Sequence, residues 1–376
     1  MTDVKICLIA TELMGWGAAG GFGFATRSLA RELLERGIET TVVLPQPRAE
    51  TGSPAAVGGI PVRTYPRLAP ARAIELFRGC DADIYHSQEP SFGTWLAQRA
   101  MPDRVHLVTS RDPRLLEDWW VELRLPTLSR LQVLQTALHY ENPLTRTAVR
   151  RAANVYVPAR CLASRVQRKY GLSSLPGFLP TPVRMPRRVA KARQPTVCIV
   201  GRLDRRKRPE RALALAARFP EVRFIVAGAA QDPSFGQSLQ ERYRRVGNVE
   251  FRGFVDQFAG DRLSDIFSES WVLLNTSARE GLPNTFIEAC AHGCAILSAV
   301  DPDGFASGFG HHAADGDFAG GLRSLIVNDR WRDAGARGAA YVAATNAAPA
   351  ATARHLAEYA AWRERARAPR LRGQDA

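Results

Sequence analysis

The chain has 376 residues, 45% of them hydrophobic, and its 51 Lys and Arg against 37 Asp and Glu give a formal net charge of +14. This length suits two α/β domains better than one core, and the hydrophobic content excludes bulk disorder. No apolar run is long enough to span a bilayer and no secretory leader is apparent, so we expect a cytoplasmic protein. The basic excess implies an anionic partner, but no zinc finger, RNP motif or helix-turn-helix signature points to nucleic acid.

The N-terminal half predicts a parallel sheet that begins with a continuous apolar strand at 4–10. A glycine-rich loop follows, with Gly15, Gly17, Gly20, Gly21 and Gly23. A helix with leucines on one face then ends at Gly37. We predict further strands at 40–44, 83–85, 105–109 and 154–158, the last of these closing the sheet. This order of strand, loop, helix and strand is typical of a right-handed parallel unit.

The second half restarts the same pattern after a Pro-rich, basic stretch at 177–195. We assign the interdomain linker to 181–195 within that stretch. Predicted elements after it are strands at 196–200, 222–228, 249–251, 271–275 and 295–299, a basic loop at 201–209 and a helix at 210–218. The sequence therefore predicts an N-terminal domain at 1–180, a C-terminal domain at 196–349, and a helix and tail at 350–376.

The segment 279–293 carries the strongest signal for chemistry. A loop with Glu280 and Gly281 follows a strand, and a helix that begins at Pro283 or Asn284 runs to Gly293. The first-turn amides of such a helix are unpaired and form an anion site. Glu288 lies about one turn further on, where a carboxylate can accept hydrogen bonds from a ribose.

Residues 280–288 reproduce the Glu-x7-Glu pattern, and with it the chain resembles the family 4 retaining glycosyltransferases (glycosyl transferases group 1) of the GT-B fold. The resemblance extends to the Gly-Gly-Phe-Gly run at 20–23, to Gly-Arg-Leu at 201–203 with Lys207, and to the strand Ala-Ile-Leu-Ser at 295–298. It covers nearly the whole chain in the family's order. It implies an α/β fold of two Rossmann-like domains whose parallel sheets face each other across a cleft.

The resemblance also implies roles for individual residues. Arg202 and Lys207 would neutralise the donor diphosphate, and the backbone at Gly20 and Gly21 would approach it. Glu280 would contact the donor sugar as a catalytic residue. The rest of the donor site would be Gly281, Leu282, Pro283, Asn284 and Glu288, with Glu288 on the ribose. Taken singly, the basic turn could be a solvated surface and the two glutamates ordinary helical acids.

Arg111 departs from the family pattern. Where the family often has Thr-x-His-Asp, residues 109–112 are Thr-Ser-Arg-Asp. A permanently charged guanidinium cannot accept a hydrogen bond or titrate, so Arg111 would bind a phosphate or an acidic acceptor. A structural ion pair with Asp112 or a glutamate is the alternative. We place Arg111 among the catalytic candidates with both interpretations open.

Other polar residues admit plainer interpretations. The Asp-x-Asp triplets at 81–83 and 301–303 are turn residues, and Cys290 and Cys294 lack further ligands at metal-binding spacing. We expect no metal and no cofactor, since Arg202 and Lys207 supply the positive charge. His86 is expected to pack in the core. Three residues could line the acceptor side or serve as packing anchors: Trp119, Trp120 and Glu122.

These features predict a metal-independent, retaining glycosyltransferase that moves a sugar from a nucleotide-diphosphate donor to a glycan or lipid-linked glycan. The alternatives are a phosphorylase, a sugar-nucleotide epimerase or a non-catalytic sugar-nucleotide-binding protein. Two basic clusters predict peripheral docking on an anionic membrane at its inner face, unless they serve solubility alone. These clusters are Arg146, Arg150 and Arg151, and Arg165, Arg168 and Lys169.

Overall fold

A computed structural model describes residues 4–17, 20–46, 52, 54–256, 258, 260 and 262–367. The strands are β1 Lys5–Ile9, β2 Glu39–Pro45, β3 Ala56–Val57, β4 Ile60–Tyr65, β5 Ile84–Ser87, β6 Val105–Thr109, β7 Asn154–Val157, β8 Gly177–Phe178, β9 Thr196–Val200, β10 Arg223–Ala227, β11 Val249–Gly253, β12 Val272–Asn275, β13 Ala295–Ser298 and β14 Gly310–His312. The helices are α1 Gly21–Glu35, α2 Pro70–Cys80, α3 Phe92–Ala100, α4 Leu116–Arg124, α5 Arg130–Tyr140, α6 Pro143–Arg151, α7 Ala163–Tyr170, α8 Pro209–Ala216, α9 Pro233–Tyr243, α10 Arg262–Glu269, α11 Asn284–Ala291, α12 Phe305–Phe309, α13 Phe318–Ile326, α14 Arg330–Thr345 and α15 Ala348–Arg367. Within the described ranges, no helix combines the length and apolarity needed to cross a membrane.

Two sheets organise the chain, and the predicted α/β architecture is confirmed. The first sheet has the order β3-β4-β2-β1-β5-β6-β7-β8 and the second the order β11-β10-β9-β12-β13-β14. All neighbouring strands are parallel except β3 and β4. Helices cover both faces, which is why β1 and β9 are almost continuously apolar. We call the two bodies the N-terminal and C-terminal domains.

The first sheet does not end where the sequence indicated. We predicted 154–158 as its last strand, but β8 pairs beyond β7, with Tyr156 opposite Gly177. The two residues of β8 are not part of an apolar run, so the sequence pattern does not predict a strand there. They form a strand by pairing with the edge of β7. Residues 177–178 therefore belong to the sheet, although the sequence placed them in the Pro-rich connecting stretch.

The chain crosses between the domains twice. In the first crossing, the Val183 amide donates to the Asn346 carbonyl over 2.8 Å, and the Ala348 amide returns a 2.8 Å bond to the Val183 carbonyl. The Asn346 side chain also donates to the Thr181 carbonyl over 3.1 Å. These bonds join the two crossing segments side by side, so they form a two-stranded connection between the domains. The sequence indicated the first crossing only.

The last helix, α15, packs on the N-terminal sheet rather than on the sheet that precedes it. Tyr359 is fully buried in the core with β1 and β5, and Leu356 and Trp362 pack against the same core. The Trp362 indole donates to the Tyr156 hydroxyl over 2.9 Å. Periodicity predicted this helix, but it does not say which sheet an apolar face covers. Residues 368–376 of the predicted tail lie outside the described residues.

A buried contact of α15 gives a test of this packing. The Tyr359 hydroxyl lies 2.7 Å from His86 Nδ1, and the His86 side chain is fully buried with its Nε2 2.8 Å from the Thr109 hydroxyl. Tyr359→Phe leaves a buried imidazole nitrogen unpaired, so we expect the free energy of unfolding to fall by about 1–3 kcal/mol in urea titrations. Tyr341→Phe is the control, because the Tyr341 hydroxyl makes no hydrogen bond within the described residues. Equal stability of both variants would contradict this packing.

Candidate functional site

A cleft of about 810 Å³ lies between the domains, within the range of small-molecule sites. Its walls are the loops that follow the carboxyl ends of β1, β6, β9, β10 and β12. The structure brings all eleven residues singled out in the sequence to this cleft: Gly20, Gly21, Arg111, Arg202, Lys207, Glu280, Gly281, Leu282, Pro283, Asn284 and Glu288.

Lys207 and Glu280 form an ion pair on the cleft wall. Lys207 ends a short 3-10 turn whose N-cap is Asp204, which accepts the Lys207 amide over 3.0 Å. Burial opposes ionisation of Glu280, but Lys207 and Arg206 hold its pKa below the ordinary value. The Glu280 carboxyl group is therefore held ionised, and the ion pair gives each side chain a partner in the free protein.

Arg202 is the more accessible cation of this wall. It directly follows Gly201 after β9, and 39% of its side chain is exposed. Its nearest acidic group is the Asp204 carboxylate, 3.9 Å from one guanidinium nitrogen. At that distance the guanidinium keeps its planar set of donors available for an anion in the cleft.

Glu288 has an unpaired carboxyl group among the described residues of the cleft. It lies on α11, which begins at Asn284 after Pro283 and is followed by Gly293 in the left-handed region. The side chain is buried and makes no hydrogen bond or ion pair within the described part of the chain. Burial alone raises its pKa to about 8. A carboxyl group in this state can accept or donate hydrogen bonds to hydroxyls of a ligand.

The glycine-rich loop meets the cleft at the start of α1. The Glu12 carboxylate accepts the amides of Gly20 and Gly23, both over 2.9 Å. Asn284 reaches across from the C-terminal domain and donates to the Gly21 carbonyl over 2.7 Å. Sequence reasoning missed Glu12, although an acidic residue between a strand and a glycine-rich loop is a signal for this capping role.

Arg111 points into the protein wall of the cleft. Its guanidinium donates to the Gln88 carbonyl over 2.9 Å, the Gln88 side chain over 2.8 Å and the Thr181 hydroxyl over 2.9 Å. Its backbone amide donates to Glu89 over 2.6 Å. Burial lowers the pKa of Arg111 to about 10 and raises that of Glu89 to about 8. Neither a side-chain ion pair with Asp112 nor one with a glutamate is formed.

A buried ion cluster joins the two domains at the cleft floor. It consists of Asp112, Arg114, Asp118, Glu122 and Arg165 of the N-terminal domain with Arg206 and Arg279 of the C-terminal domain. Arg279 Nε lies 2.7 Å from an Asp118 oxygen, and its terminal nitrogens bind Asp112. Arg206 pairs with Glu122.

The electrostatics of this cluster reinforce its pairing. Burial alone would oppose ionisation of Asp112, but Arg114 and Arg279 hold its pKa well below the usual range. The carboxylates of Asp112 and Asp118 raise the pKa of Arg279, although burial opposes its charge. Sequence reasoning missed this cluster, because its partners are far apart along the chain.

Gly281 packs against the backbone of the N-terminal domain. A Cβ atom at this position would lie 2.6 Å from the Arg111 carbonyl oxygen, so only glycine fits. Glycine is required here because of this contact between the two domains. Backbone conformation does not require it, since Gly281 does not adopt a positive φ. The loop that carries Glu280 therefore touches the loop that carries Arg111.

The remaining polar candidates lie outside the cleft. Asp81 and Asp83 pair with Arg104, and Asp303 accepts the amides of Arg160 and Cys161. No His, Cys, Asp or Glu group of three or more is arranged to hold a metal ion within the described residues. Trp119 is buried, Trp120 is exposed, and Glu122 belongs to the ion cluster, so none of the three lines the cleft. The burial of Trp119 agrees with the packing-anchor interpretation, and a role of these residues on the acceptor side stays a prediction.

Comparison with known proteins agrees with this architecture. The family model described as Glycosyl transferases group 1 matches residues 184–319, and that described as Glycosyltransferase Family 4 matches residues 19–183. No curated protein matches the chain in a sequence search.

Solved structures show the same fold. Sucrose-phosphate synthase from Thermosynechococcus elongatus superimposes with a TM-score of 0.73 at 18% identity, over 96% of this chain and 99% of that one. HepE of Anabaena, in complex with UDP-glucose, gives 0.71 at 14% identity, over 96% and 100%. The lipopolysaccharide outer core galactosyltransferase WaaB gives 0.62 at 16% identity, over 95% and 99%. These structures have the GT-B architecture, which this chain shares.

The raised pKa of Glu288 predicts a pH-dependent stability. The group ionises near its ordinary pKa of 4.5 in the unfolded chain but near 8 in the folded one, so its contribution to stability is lost as pH rises through this window. Glu288→Gln does not titrate. Its stability relative to wild type should therefore grow between pH 4.5 and 8, by up to about 4 kcal/mol, because one pKa unit is equivalent to about 1.4 kcal/mol.

Glu280→Gln is the matched control for this measurement. The pKa of Glu280 is lowered, so its ionised form stabilises the fold above the unfolded pKa. This variant should be destabilised throughout the neutral range, with no change of sign in urea titrations at pH 5, 6.5 and 8. A Glu288→Gln effect that is flat with pH would show that the carboxyl group is solvated.

Proposed function

We propose that this chain, which belongs to the family 4 glycosyltransferases (group 1), transfers a sugar from a nucleoside-diphosphate donor to a glycan or lipid-linked glycan with retention at the anomeric carbon. One observation carries the proposal: cations and carboxylates from distant segments meet in a single interdomain cleft. The similarity to HepE, whose structure contains UDP-glucose, supports the donor class.

In this proposal the C-terminal domain binds the nucleotide part of the donor. Arg202 and Lys207 bind the diphosphate, the first through its planar donors and the second as a point charge. Glu288 binds the ribose, because ribose hydroxyls can pair with a buried carboxyl group that has no partner among the described residues. Negative charge grows on the diphosphate as its bond to the sugar breaks, so fixed cations there lower the barrier.

Glu280 contacts the sugar after an exchange of partners. In the free protein Lys207 pairs with Glu280. When a diphosphate binds Lys207, Glu280 becomes available to sugar hydroxyls. The bond from the anomeric carbon to the diphosphate oxygen breaks and one to the acceptor oxygen forms, while the acceptor proton leaves on the diphosphate or to water. Arg111 contributes positive potential behind the cleft wall, since its donors stay engaged with Gln88 and Thr181.

We propose that transfer needs no metal ion, because three cations already line the diphosphate region: Arg202, Arg206 and Lys207. Turnover should survive excess EDTA. Loss of turnover with EDTA and its recovery with Mg²⁺ or Mn²⁺ would contradict this part of the proposal.

We also propose peripheral docking on an anionic membrane, which would present a lipid-linked acceptor. The basic clusters give little support, because Arg146 and Arg150 donate to backbone carbonyls and Arg165 and Lys169 pair with acids. An apolar surface on α4, α5 and the loop between them supports docking better. It carries six of the twelve large hydrophobic side chains that are exposed in the described chain: Leu116, Trp120, Leu128, Leu131, Leu134 and Leu138.

The position and charge of this α4–α5 surface suit a bilayer interface. Thr136 and Tyr140, on another face of α5, line the cleft, so a headgroup-linked acceptor beside α5 would be close to the donor. Arg124 and Arg130 are exposed on the same two helices without ion pairs in the described structure. Exposed arginines beside an apolar face with a tryptophan favour an anionic membrane surface.

The function itself is tested by a thermal-shift screen across nucleotide sugars, followed by a nucleoside-diphosphate release assay. A ligand at a hundred times its Kd stabilises a protein by about 2.7 kcal/mol, which such a screen detects. We expect stabilisation by one class of nucleotide sugar and release of its nucleoside diphosphate when acceptor is added. Binding without release would indicate a non-catalytic binding protein, and phosphate-dependent glycan breakdown would indicate a phosphorylase.

Variants should separate the roles of the cleft residues. Arg202→Ala and Lys207→Ala should each weaken UDP binding by about 1.5–3 kcal/mol in calorimetry, the range of charged hydrogen bonds, and Glu288→Ala should also weaken it. Glu280→Ala should bind UDP nearly as wild type but lose turnover. Arg205→Ala is the control, because Arg205 pairs with Asp232 outside the cleft. Equal loss of UDP affinity in the Glu280 and Glu288 variants would refute this division of roles.

Vesicle co-sedimentation tests the membrane surface. Each leucine buried in a bilayer interface contributes on the order of 1.5 kcal/mol, so Leu134→Ser with Leu138→Ser should lower partitioning on the order of 100-fold. Binding should need anionic lipid and fall with salt. Leu175→Ser is the control, since Leu175 is comparably exposed elsewhere. Equal recovery of wild type and the double variant in the supernatant would remove the docking proposal.

A further inference from the structure

We propose that Arg206 and Arg279 are positioning residues that hold Lys207 and Glu280 in place by binding carboxylates of the N-terminal domain. The inference rests on the proposed function for the roles of Lys207 and Glu280. It adds that the catalytic arrangement of the C-terminal domain is completed only when the N-terminal domain closes on it.

Each of the two arginines directly precedes one member of the Lys207–Glu280 ion pair. Arg206 precedes Lys207, and Arg279 precedes Glu280. The first member of each pair crosses the domain boundary to a carboxylate, Glu122 for Arg206 and Asp118 for Arg279. The second members pair with each other on the cleft wall. A displacement of either arginine therefore moves a neighbouring residue that faces the donor.

The two loops are also tied to each other within the C-terminal domain. The Ala278 amide donates to the Arg206 carbonyl over 2.9 Å, and the Thr276 hydroxyl donates to the Lys207 carbonyl over 2.8 Å. Arg208 returns a 2.6 Å bond to the Thr276 carbonyl. The loops behave as one unit, and the two arginines attach that unit to the N-terminal domain.

The burial of the cluster makes this attachment dependent on closure. The side chains of Arg206, Arg279, Asp112, Asp118 and Glu122 are only 9–13% exposed. Removing charges from water costs several kcal/mol per ion unless they are paired at short range. When the domains separate, Arg206 and Arg279 lose these partners and gain water instead. The cluster therefore stabilises one closed arrangement of the two loops and leaves them unrestrained in an open one.

Gly281 limits how the domains can close. Its neighbour Glu280 follows Arg279, and a Cβ at 281 would meet the Arg111 carbonyl at 2.6 Å. The ion pairs thus draw the loop inward until the backbones of 281 and 111 touch. This contact fixes the depth of closure, whereas the arginines fix its direction.

The test compares Asp118→Asn, Arg279→Gln and the double variant, with Arg279→Lys as the conservative change. UDP affinity, kcat, KM for the donor and the radius of gyration by small-angle X-ray scattering are measured for each. Asp118 does not line the cleft, so its substitution leaves the donor contacts intact. Arg223→Gln is the matched control, because Arg223 pairs with Glu250 and Glu269 within the C-terminal domain.

We expect UDP affinity within about twofold of wild type in all variants, because Arg206 still pairs with Glu122 and holds Lys207, and the displaced residue is Glu280. Misplacement of reacting groups by about 1 Å lowers kcat by about 10- to 100-fold, and we expect that loss in each single variant. The double variant should lose no more than Arg279→Gln alone, since that variant already lacks the Asp118–Arg279 pair. Arg279→Lys should recover part of the loss, and the radius of gyration with UDP should exceed that of wild type in the other variants.

Three results would overturn the proposal: unchanged kcat in Asp118→Asn and Arg279→Gln, a fall in UDP affinity that accounts for the whole loss, or losses that multiply in the double variant. If the wild-type chain transfers no sugar, the proposed function fails separately. Scattering then still decides the structural part, because unchanged domain separation in the variants would contradict closure by these arginines.

Discussion

Pairing of Arg206 and Arg279 with three carboxylates across the domain boundary is the constraint on which the site depends. Each domain is an independent α/β body, and only two crossing segments, near 181–183 and 346–348, join them covalently. These ion pairs join the two domains at the floor of the cleft. The ions there are almost completely removed from water, so each is stable only with its partner in place.

The free cleft satisfies most of its own charges. Lys207 pairs with Glu280, and the Glu12 carboxylate accepts hydrogen bonds from backbone amides at the start of α1. Arg202 and Glu288 are the exceptions, one half-exposed and the other buried without a partner. A diphosphate with a ribose offers an anion to the first and hydroxyls to the second. In the proposed function, binding proceeds by exchange of partners, so the unliganded cleft does not carry several unpaired charges.

Much of the fold could be predicted because buried parallel strands carry their own signal. The strands at 105–109 and 196–200 have the predicted bounds, and most others differ by one or two residues. The site residues were predicted from the Glu-x7-Glu pattern at 280–288, from Gly20 and Gly21, and from Arg202 and Lys207. The strands β4 and β14 were not predicted. Other features that escaped prediction depend on contacts distant in sequence: the two-residue β8, the sheet that α15 covers, and ion pairs such as Asp118 with Arg279. Local pattern does not determine such partners.

A crystal structure with a bound nucleoside diphosphate tests the central claim most directly. We expect the diphosphate within hydrogen-bond distance of Arg202 and Lys207, ribose hydroxyls on the Glu288 carboxyl group, and Lys207 turned from Glu280 toward the phosphate. A diphosphate bound away from Lys207, or a ribose that leaves Glu288 unpaired, would contradict it.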